Sequence, residues 1–385
     1  MKKICICTTV SITMKTFVVE TAKYLYEKEG YDITLICDDD QEFQKTLPEY
    51  IHYLPLHMAR GIDISALRSV WGFIKIFRKE KFDMVQYATP NAAYYASIAA
   101  RVCRVPIRLY CQWGIRYIGM RGISRKIFRI IEKIICTNST NIRAVSRLNK
   151  QFAISEKLYT ENKVKVIGYG GTIGVDMAQY DIHKKKEWRE EIRELYGISE
   201  NDFVFGFSGR ISRDKGCKEL LEAFSEIEKI TNRAKLFIIG PVEGKCGIRP
   251  ELITWAKKSK NVIMSGAVLG SQMQKYYSAI DVLVHPTYRE GFGMVIQEAG
   301  ALGIPTITTA IAGASEVMEN GISAVHVEVK NTVALTEAMK AFLKEPEQAT
   351  MLGKAAYQRT KERYNRSVML EYQREDYKQL LAGSR

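Results

Sequence analysis

Two carboxylates eight residues apart frame the most chemically suggestive stretch of the chain, HPTYREGFGMVIQEAGALGIP at residues 285–305. Glu290 stands just before a Gly-Phe-Gly turn, and Glu298 falls about one and a half helical turns past Gly293. Gly291 and Gly293 permit a tight turn and a close approach of backbone to a ligand. The apolar run after them predicts a helix beginning near Gly293. Its first N–H groups lack intrahelical partners and suit phosphate. A carboxylate accepts hydrogen bonds from two neighbouring hydroxyls, as on a ribose. One extended ligand answers all three features: Glu290 by a sugar, the helix start by phosphates, Glu298 by the ribose. The plainer alternative is a helix whose start favours acidic residues, with Glu298 on the surface.

A second stretch, SGRISRDKG (208–216), joins an apolar run to a helix starting near Cys217. Arg210 and Lys215 stand there beside free backbone N–H groups. That combination serves a diphosphate, or else is a solvated basic loop.

Elements must carry these residues, and their order is legible. KICICTTV (3–10), YDITLIC, DMVQYA and PIRLYCQW read as strands, separated by helix-like runs, one from Lys15 to Glu29 with Gly30 as its stop. VKVIGYG (164–170) closes this half. A charged segment, DIHKKKEWREEIRELYG (181–197), reads as an exposed helical connection. The alternation restarts with FVFGFSG, AKLFIIG, NVIMSG, DVLVHP and PTITTA. Apolar strands alternating with helices predict parallel sheets covered by helices. The expected domains are residues 1–175 and 176–365, with a terminal helix over 366–385 that returns to the first domain.

Composition narrows the class. The chain has 385 residues, 46% of them hydrophobic, and a formal charge of +14. Such a basic balance points to phosphorylated ligands, nucleic acid or an anionic membrane. Residues 101–150 hold 12 Lys or Arg and one acid, Glu132. RYIGMRGISRKIFRIIEKII interleaves cations with Ile and Phe, as a helix on an anionic membrane does. No nucleic-acid recognition motif accompanies the charge. The 8 cysteines form no CxxC pair and the 5 histidines are scattered. A reducing compartment and no metal site are expected. The N-terminus reads as a strand rather than a signal peptide, and no 18-residue apolar run predicts a spanning helix.

Together, SGRISRDKG, the EGFGMVIQEAGALGIP block and AGASEVMENG (312–321) resemble the retaining nucleotide-sugar glycosyltransferases of family 4. The resemblance implies the α/β GT-B fold, with two Rossmann-like domains facing a central cleft. The first domain would take the acceptor and the second the donor. It implies that Arg210 and Lys215 hold the donor diphosphate, with Glu290 by the donor sugar. Phe292, Gly293, Met294 and Val295 would form the turn and helix start over the phosphates, and Glu298 would bind the ribose. Val262 to Gly266, and Leu269, would flank the base. Glu290, Arg210 and Lys215 are the expected catalytic residues. The donor is expected to be UDP-linked, used as co-substrate without a required metal. The acceptor is expected to be a glycan or a polyprenyl-diphosphate-linked sugar, at the inner face of the cell membrane, in surface polysaccharide assembly. An epimerase or hydrolase using the same donor, or a basic scaffold without catalysis, are the competing readings. Two departures stand in the first domain. TTVSITMKT (8–16) occupies the place of a Gly-Gly loop, leaving hydroxyls of Ser11, Thr13 or Thr16 in place of open backbone. Trp113 stands where many relatives have histidine.

Overall fold

A computed structural model of the chain describes residues 1–58, 64–242 and 246–383. It divides into two compact units, Met1–Ile173 with Ser367–Arg385, and Gly174–Arg366.

The first unit is built on seven strands: β1 (Lys3–Cys7), β2 (Asp32–Cys37), β3 (Ile51–Pro55), β4 (Met84–Tyr87), β5 (Ile107–Gln112), β6 (Asn141–Ala144) and β7 (Val164–Lys165). All neighbours pair in parallel, in the order β3-β2-β1-β4-β5-β6-β7. Successive residues of β1 enter different cores. Cys5 and Cys7 face one layer of helices, and Ile4 and Ile6 the other. That two-sided burial explains why KICIC has no polar alternation.

The second unit has six strands: β8 (Phe203–Ser208), β9 (Ala234–Ile239), β10 (Val262–Gly266), β11 (Val282–His285), β12 (Thr306–Thr309) and β13 (Ala324–Val327). They too run parallel, in the order β10-β9-β8-β11-β12-β13. Phe205 and Phe207 face one core, and Val204 the other. Both units are therefore Rossmann-like α/β sandwiches.

Local differences from expectation have physical causes. The run from Lys15 to Glu29 is two helices, Ser11–Phe17 and Val19–Glu29, because Val18 leaves helical geometry (φ −123°, ψ −42°) between them. The adjacent β-branched pair Val18–Val19 is a weak place in a helix. Gly30 caps the second helix in the left-handed conformation, as its position suggests. The strands IHYLP, NIRA and AVHV were not expected, being short and lacking a long apolar run. VKVIGYG contributes only Val164 and Lys165 to the sheet. The charged helix Lys185–Leu195 is more than a connection. Trp188, Ile192 and Arg193 are buried, and Arg193 donates to Asp281 at 2.9 Å.

The terminal helix Arg366–Ala382 buries Met369, Tyr377 and Leu381 in the first unit. Its Asp376 receives two hydrogen bonds of 2.7 Å from Arg143 on β6, and both side chains are almost wholly buried. Tyr377 donates to Gln86 on β4.

Candidate active site

The order of the second sheet reverses between β8 and β11. In open parallel sheets the crevice beyond the carboxyl ends at such a reversal is where ligands bind. SGRISRDKG leaves β8 at that point, and HPTYREGFG leaves β11 beside it. The chain brings the two loops into contact through backbone. Tyr288 N–H donates to the Asp214 carbonyl at 2.9 Å, and the Thr287 hydroxyl donates to the same oxygen at 3.3 Å. Gly216 has φ +71°, and a Cβ there would lie 1.9 Å from the Pro286 carbonyl oxygen. Only glycine lets the loops close this far. Gly313, in AGASEVMENG, plays the same part from β12. A Cβ on it would lie 2.2 Å from the Gly291 carbonyl oxygen.

This packing assembles a charged cluster. Lys215 Nζ lies 2.8 Å from Glu290 Oε2, and His285 Nε2 lies 3.0 Å from the same oxygen. Glu290 Oε1 accepts from Gly291 N–H at 3.0 Å. Burial opposes ionisation of Glu290, but the His285 hydrogen bond and the Lys215 charge outweigh it and hold the carboxyl well below its usual range. His285 is buried, and burial depresses its pKa despite the carboxylate. Neutral His285 donating from Nε2 leaves Nδ1 as its acceptor, and Nδ1 has no hydrogen-bond partner among the described residues. Arg210 is exposed on the loop.

The helix Met294–Ala301 opens on Gly293, which is left-handed at φ +43°. Met294 and Val295, partly exposed, form its first turn. Phe292 is different. Its ring is buried and meets Tyr364 edge-on, centroids 5.6 Å apart, so only its backbone faces the turn. Glu298 Oε2 accepts from Tyr277 at 3.0 Å, with Tyr180 as a second donor. Glu298 is therefore no freely solvated surface acid. Burial pushes its carboxyl up to about 7, against the two tyrosines.

Arg210, Lys215, Glu290, the 292–295 turn and Glu298 thus gather around the ends of β8 and β11. Gly266 ends β10 and exposed Leu269 follows it, at the same edge of the sheet. Val262 does not join them. It begins β10, and its side chain packs in the core with Leu236 and Ala256. Sequence reasoning passed over His285, Tyr277 and Tyr180. His285 closes an apolar strand and Tyr277 a YY pair; neither spacing advertises a carboxylate partner.

In the first unit, Ser11 and Thr16 fall in the helix Ser11–Phe17 that follows β1, and their hydroxyls are engaged within the protein. The Ser11 hydroxyl donates to Asp40 at 2.5 Å, and Thr16 bonds back to the Ile12 carbonyl at 2.7 Å. Thr9 and Thr89 hydroxyls meet at 2.7 Å between β1 and β4. Trp113 packs on Phe17, centroids 5.4 Å apart. Among the described residues, no group of three or more His, Cys, Asp or Glu is placed to hold a metal ion.

Comparison with known proteins gives the lineage. The family described as Glycosyl transferases group 1 matches residues 188–359, and Glycosyl transferase 4-like matches residues 3–146. The capsular polysaccharide biosynthesis glycosyltransferase CapM of Staphylococcus aureus is 31% identical over 346 residues, covering 89% of each chain. The UDP-Gal:alpha-D-GlcNAc-diphosphoundecaprenol alpha-1,3-galactosyltransferase of Escherichia coli is 24% identical over 322 residues, covering 82% of this chain and 81% of its own. Among solved structures, Anabaena HepE in complex with UDP and glucose superposes with a TM-score of 0.81 at 17% identity, over 98% of this chain and 100% of that one. A glycosyltransferase from Rickettsia africae gives 0.80 at 21% identity, over 100% and 99%. The structural likenesses establish a common GT-B architecture, and the sequence likeness runs through both units. The chain is a GT-B glycosyltransferase and belongs to the glycosyl transferases group 1 family.

Proposed function

We propose that this enzyme moves a hexose or N-acetylhexosamine, with retention of configuration, from a UDP-linked donor to a glycan or lipid-diphosphate-linked acceptor in surface polysaccharide assembly. The observation that carries the reading is the Lys215–Glu290–His285 cluster at the sheet reversal, with a helix start and Glu298 beside it. Arg210, Lys215 and the first N–H groups of Met294–Ala301 take the diphosphate. Glu298 takes the ribose hydroxyls, and the loop after β10 flanks the base. Glu290 orients the donor sugar and, without ligand, keeps Lys215 aimed into the site. As the C1–O bond breaks, its electron pair passes to the diphosphate, where fixed cations stabilise the growing charge. The acceptor hydroxyl adds to C1 on the same face and gives its proton to a leaving phosphate oxygen. The second unit is thus the donor domain and the first the acceptor domain. The names of the capsular and diphosphoundecaprenol relatives support this substrate class.

The lipid-linked acceptor fits a feature of the first unit. The helix Gly122–Asn138 exposes Ile123, Ile127 and Ile130 at 77%, 44% and 58%, spaced along one face, with exposed Lys126 beside them. That face suits the surface of an anionic membrane, at its inner leaflet. No described helix is long and apolar enough to cross a membrane.

Saturation-transfer NMR with a panel of nucleotide sugars tests the donor assignment. A UDP-sugar signal abolished by Arg210→Ala and Glu298→Ala supports it. Absence of any nucleotide-sugar signal, or one indifferent to both substitutions, refutes it. Donor turnover without acceptor would instead favour an epimerase or hydrolase. Sedimentation with anionic vesicles tests the membrane face, and Ile127→Glu with Ile130→Glu should release the protein.

A further inference from the structure

A large cavity lies at the opposite end of the second unit from the Glu290 cluster. Its volume is about 1020 Å³, at the upper limit of small-molecule sites. Phe203, the first residue of β8, and Asp281, just before β11, stand in its wall. The Glu290 cluster follows the carboxyl ends of the same strands. A six-residue strand spans about 20 Å, so the two places are separate.

Buried Ile280 and Leu302, with Leu343, supply an apolar floor, and exposed Ile230 stands at the edge. The walls carry six cations and three carboxylates. Two of the cations have anionic partners. Arg189 bonds Asp281 at 2.6 Å, and Lys340 bonds Glu337 at 2.8 Å. The other four, Lys185, Arg233, Lys344 and Lys354, make no side-chain hydrogen bond or ion pair among the described residues. They come from four separate elements, so this is no stripe along one solvated helix. Lys185 opens the helix Lys185–Leu195, Arg233 precedes β9, Lys344 ends Thr332–Lys344, and Lys354 lies in Glu347–Arg363. Lys185 is the least solvated. Burial, with Arg189 nearby, pushes its ammonium down to about 8, against the pull of the Asp281 carboxylate. Asp281 attracts Lys185 but is itself hydrogen-bonded by Arg189 and Arg193, so a partly buried ammonium is left for which an anion in the cavity is a better partner. Hydroxyls of Thr231, Thr350 and Tyr357 line the same space.

We infer that this cavity is a second ligand site, for an anionic saccharide: a sugar bearing phosphate or carboxylate, its ring on the apolar floor and its anion between Lys185, Lys344 and Lys354. The site is remote from the proposed transfer chemistry, so its ligand is an effector or a second stretch of acidic glycan rather than the donor. Cations from several elements fix the anion, and hydroxyl groups meet the sugar.

Competitive trace acetylation with acetic anhydride, read lysine by lysine by mass spectrometry, tests this on the full chain. Lys185, Lys344 and Lys354 all line the cavity, so the labelling of each reports its occupancy directly. The probes are glucose 1-phosphate, digalacturonate and uncharged maltose, with UDP-glucose as a separate arm read at Lys215. Either anionic sugar should slow labelling of Lys185 roughly tenfold at about ten times its Kd, and maltose should not. Phosphate and carboxylate arms tell which anion the site takes. Lys344→Ser with Lys354→Ser, both exposed positions, should abolish the protection of Lys185. Lys215 should respond to UDP-glucose as before. Unchanged labelling at Lys185, Lys344 and Lys354 with millimolar amounts of both anionic sugars overturns the inference. So does equal protection by maltose, or protection that survives the double substitution. Because Lys215 is read independently, failure here leaves the donor-site reading untouched.

Discussion

Donor affinity should depend on pH through Glu298. Its carboxyl is pushed up to about 7 by burial, with Tyr277 and Tyr180 donating to it. The ionised form can accept hydrogen bonds from both ribose hydroxyls, whereas the protonated form loses an acceptor position. Binding therefore favours the ionised form, and apparent Kd scales as 1 + 10^(pKa − pH). From about pH 8 to about pH 6 the affinity should fall roughly tenfold, about 1.4 kcal/mol. The diphosphate diester of a nucleotide sugar does not titrate in this window. Glu290 stays ionised, because His285 and Lys215 hold its pKa down. His285 stays neutral, because burial depresses its own. Isothermal calorimetry with UDP-glucose in buffers of different ionisation heat measures both the slope and the proton released, about half a proton near pH 7. Glu298→Gln should bind more weakly and show no slope. Tyr277→Phe removes a hydrogen bond that lowers the Glu298 pKa, so the midpoint should move up. A wild-type affinity independent of pH, or an unchanged slope in Glu298→Gln, refutes the reasoning.

Further outcomes follow from other contacts. Lys215→Met removes the cation beside Glu290 and should lower kcat/KM roughly 10²-fold in an initial-rate assay, with Lys215→Arg recovering part of the loss. Asp376→Ala leaves Arg143 buried and unpaired and should cost about 3–5 kcal/mol in urea unfolding. The double change Arg143→Met with Asp376→Leu should restore most of that. Glu132 is buried, and burial pushes its carboxyl up to about 7 from 4.5, against hydrogen bonds from Gln112 and Tyr110. Between those values the folded chain holds a proton that the unfolded chain has lost, so stability falls as pH rises through this window. The Glu132 share of this fall should reach up to about 3 kcal/mol and level off above about pH 7, with Glu298 adding to it in the same window. Glu132→Gln can accept the same two bonds without titrating. It should therefore be more stable than the wild type above pH 7 and lose that advantage towards pH 4.5, as read by denaturant midpoints.

Much of this protein was legible because the relevant physics is local. Apolar runs such as KICIC and FVFGFS announce strands buried on both faces, and Gly30 announces a helix stop. Glu290, the Gly-Phe-Gly turn and Glu298 lie within nine consecutive residues, so their arrangement about one helix start follows from short-range geometry. The strands IHYLP, NIRA and AVHV were not legible. Each is too short to show a period, and only the neighbouring strand makes it one. The charged helix Lys185–Leu195 hid its apolar face among its charges, and burial of Trp188 and Ile192 became evident only with the sheet beneath it.

The sequence alone determined which chemical groups are available and the local frame of the turn that carries Glu290 and Glu298. Tertiary structure decided which groups meet. Lys215 and Glu290 are 75 residues apart, and Arg143 and Asp376 are 233 apart. The first pair is joined by the adjacency of β8 and β11, the second by the packing of the terminal helix. Tertiary structure also decided charge. Glu290 and Glu298 are the same residue type, yet one is held ionised by a lysine and a histidine while the other is pushed towards neutrality by burial. A carboxylate's ionisation depends on its desolvation and on partners supplied from distant parts of the chain, and only the folded sheet brings those together.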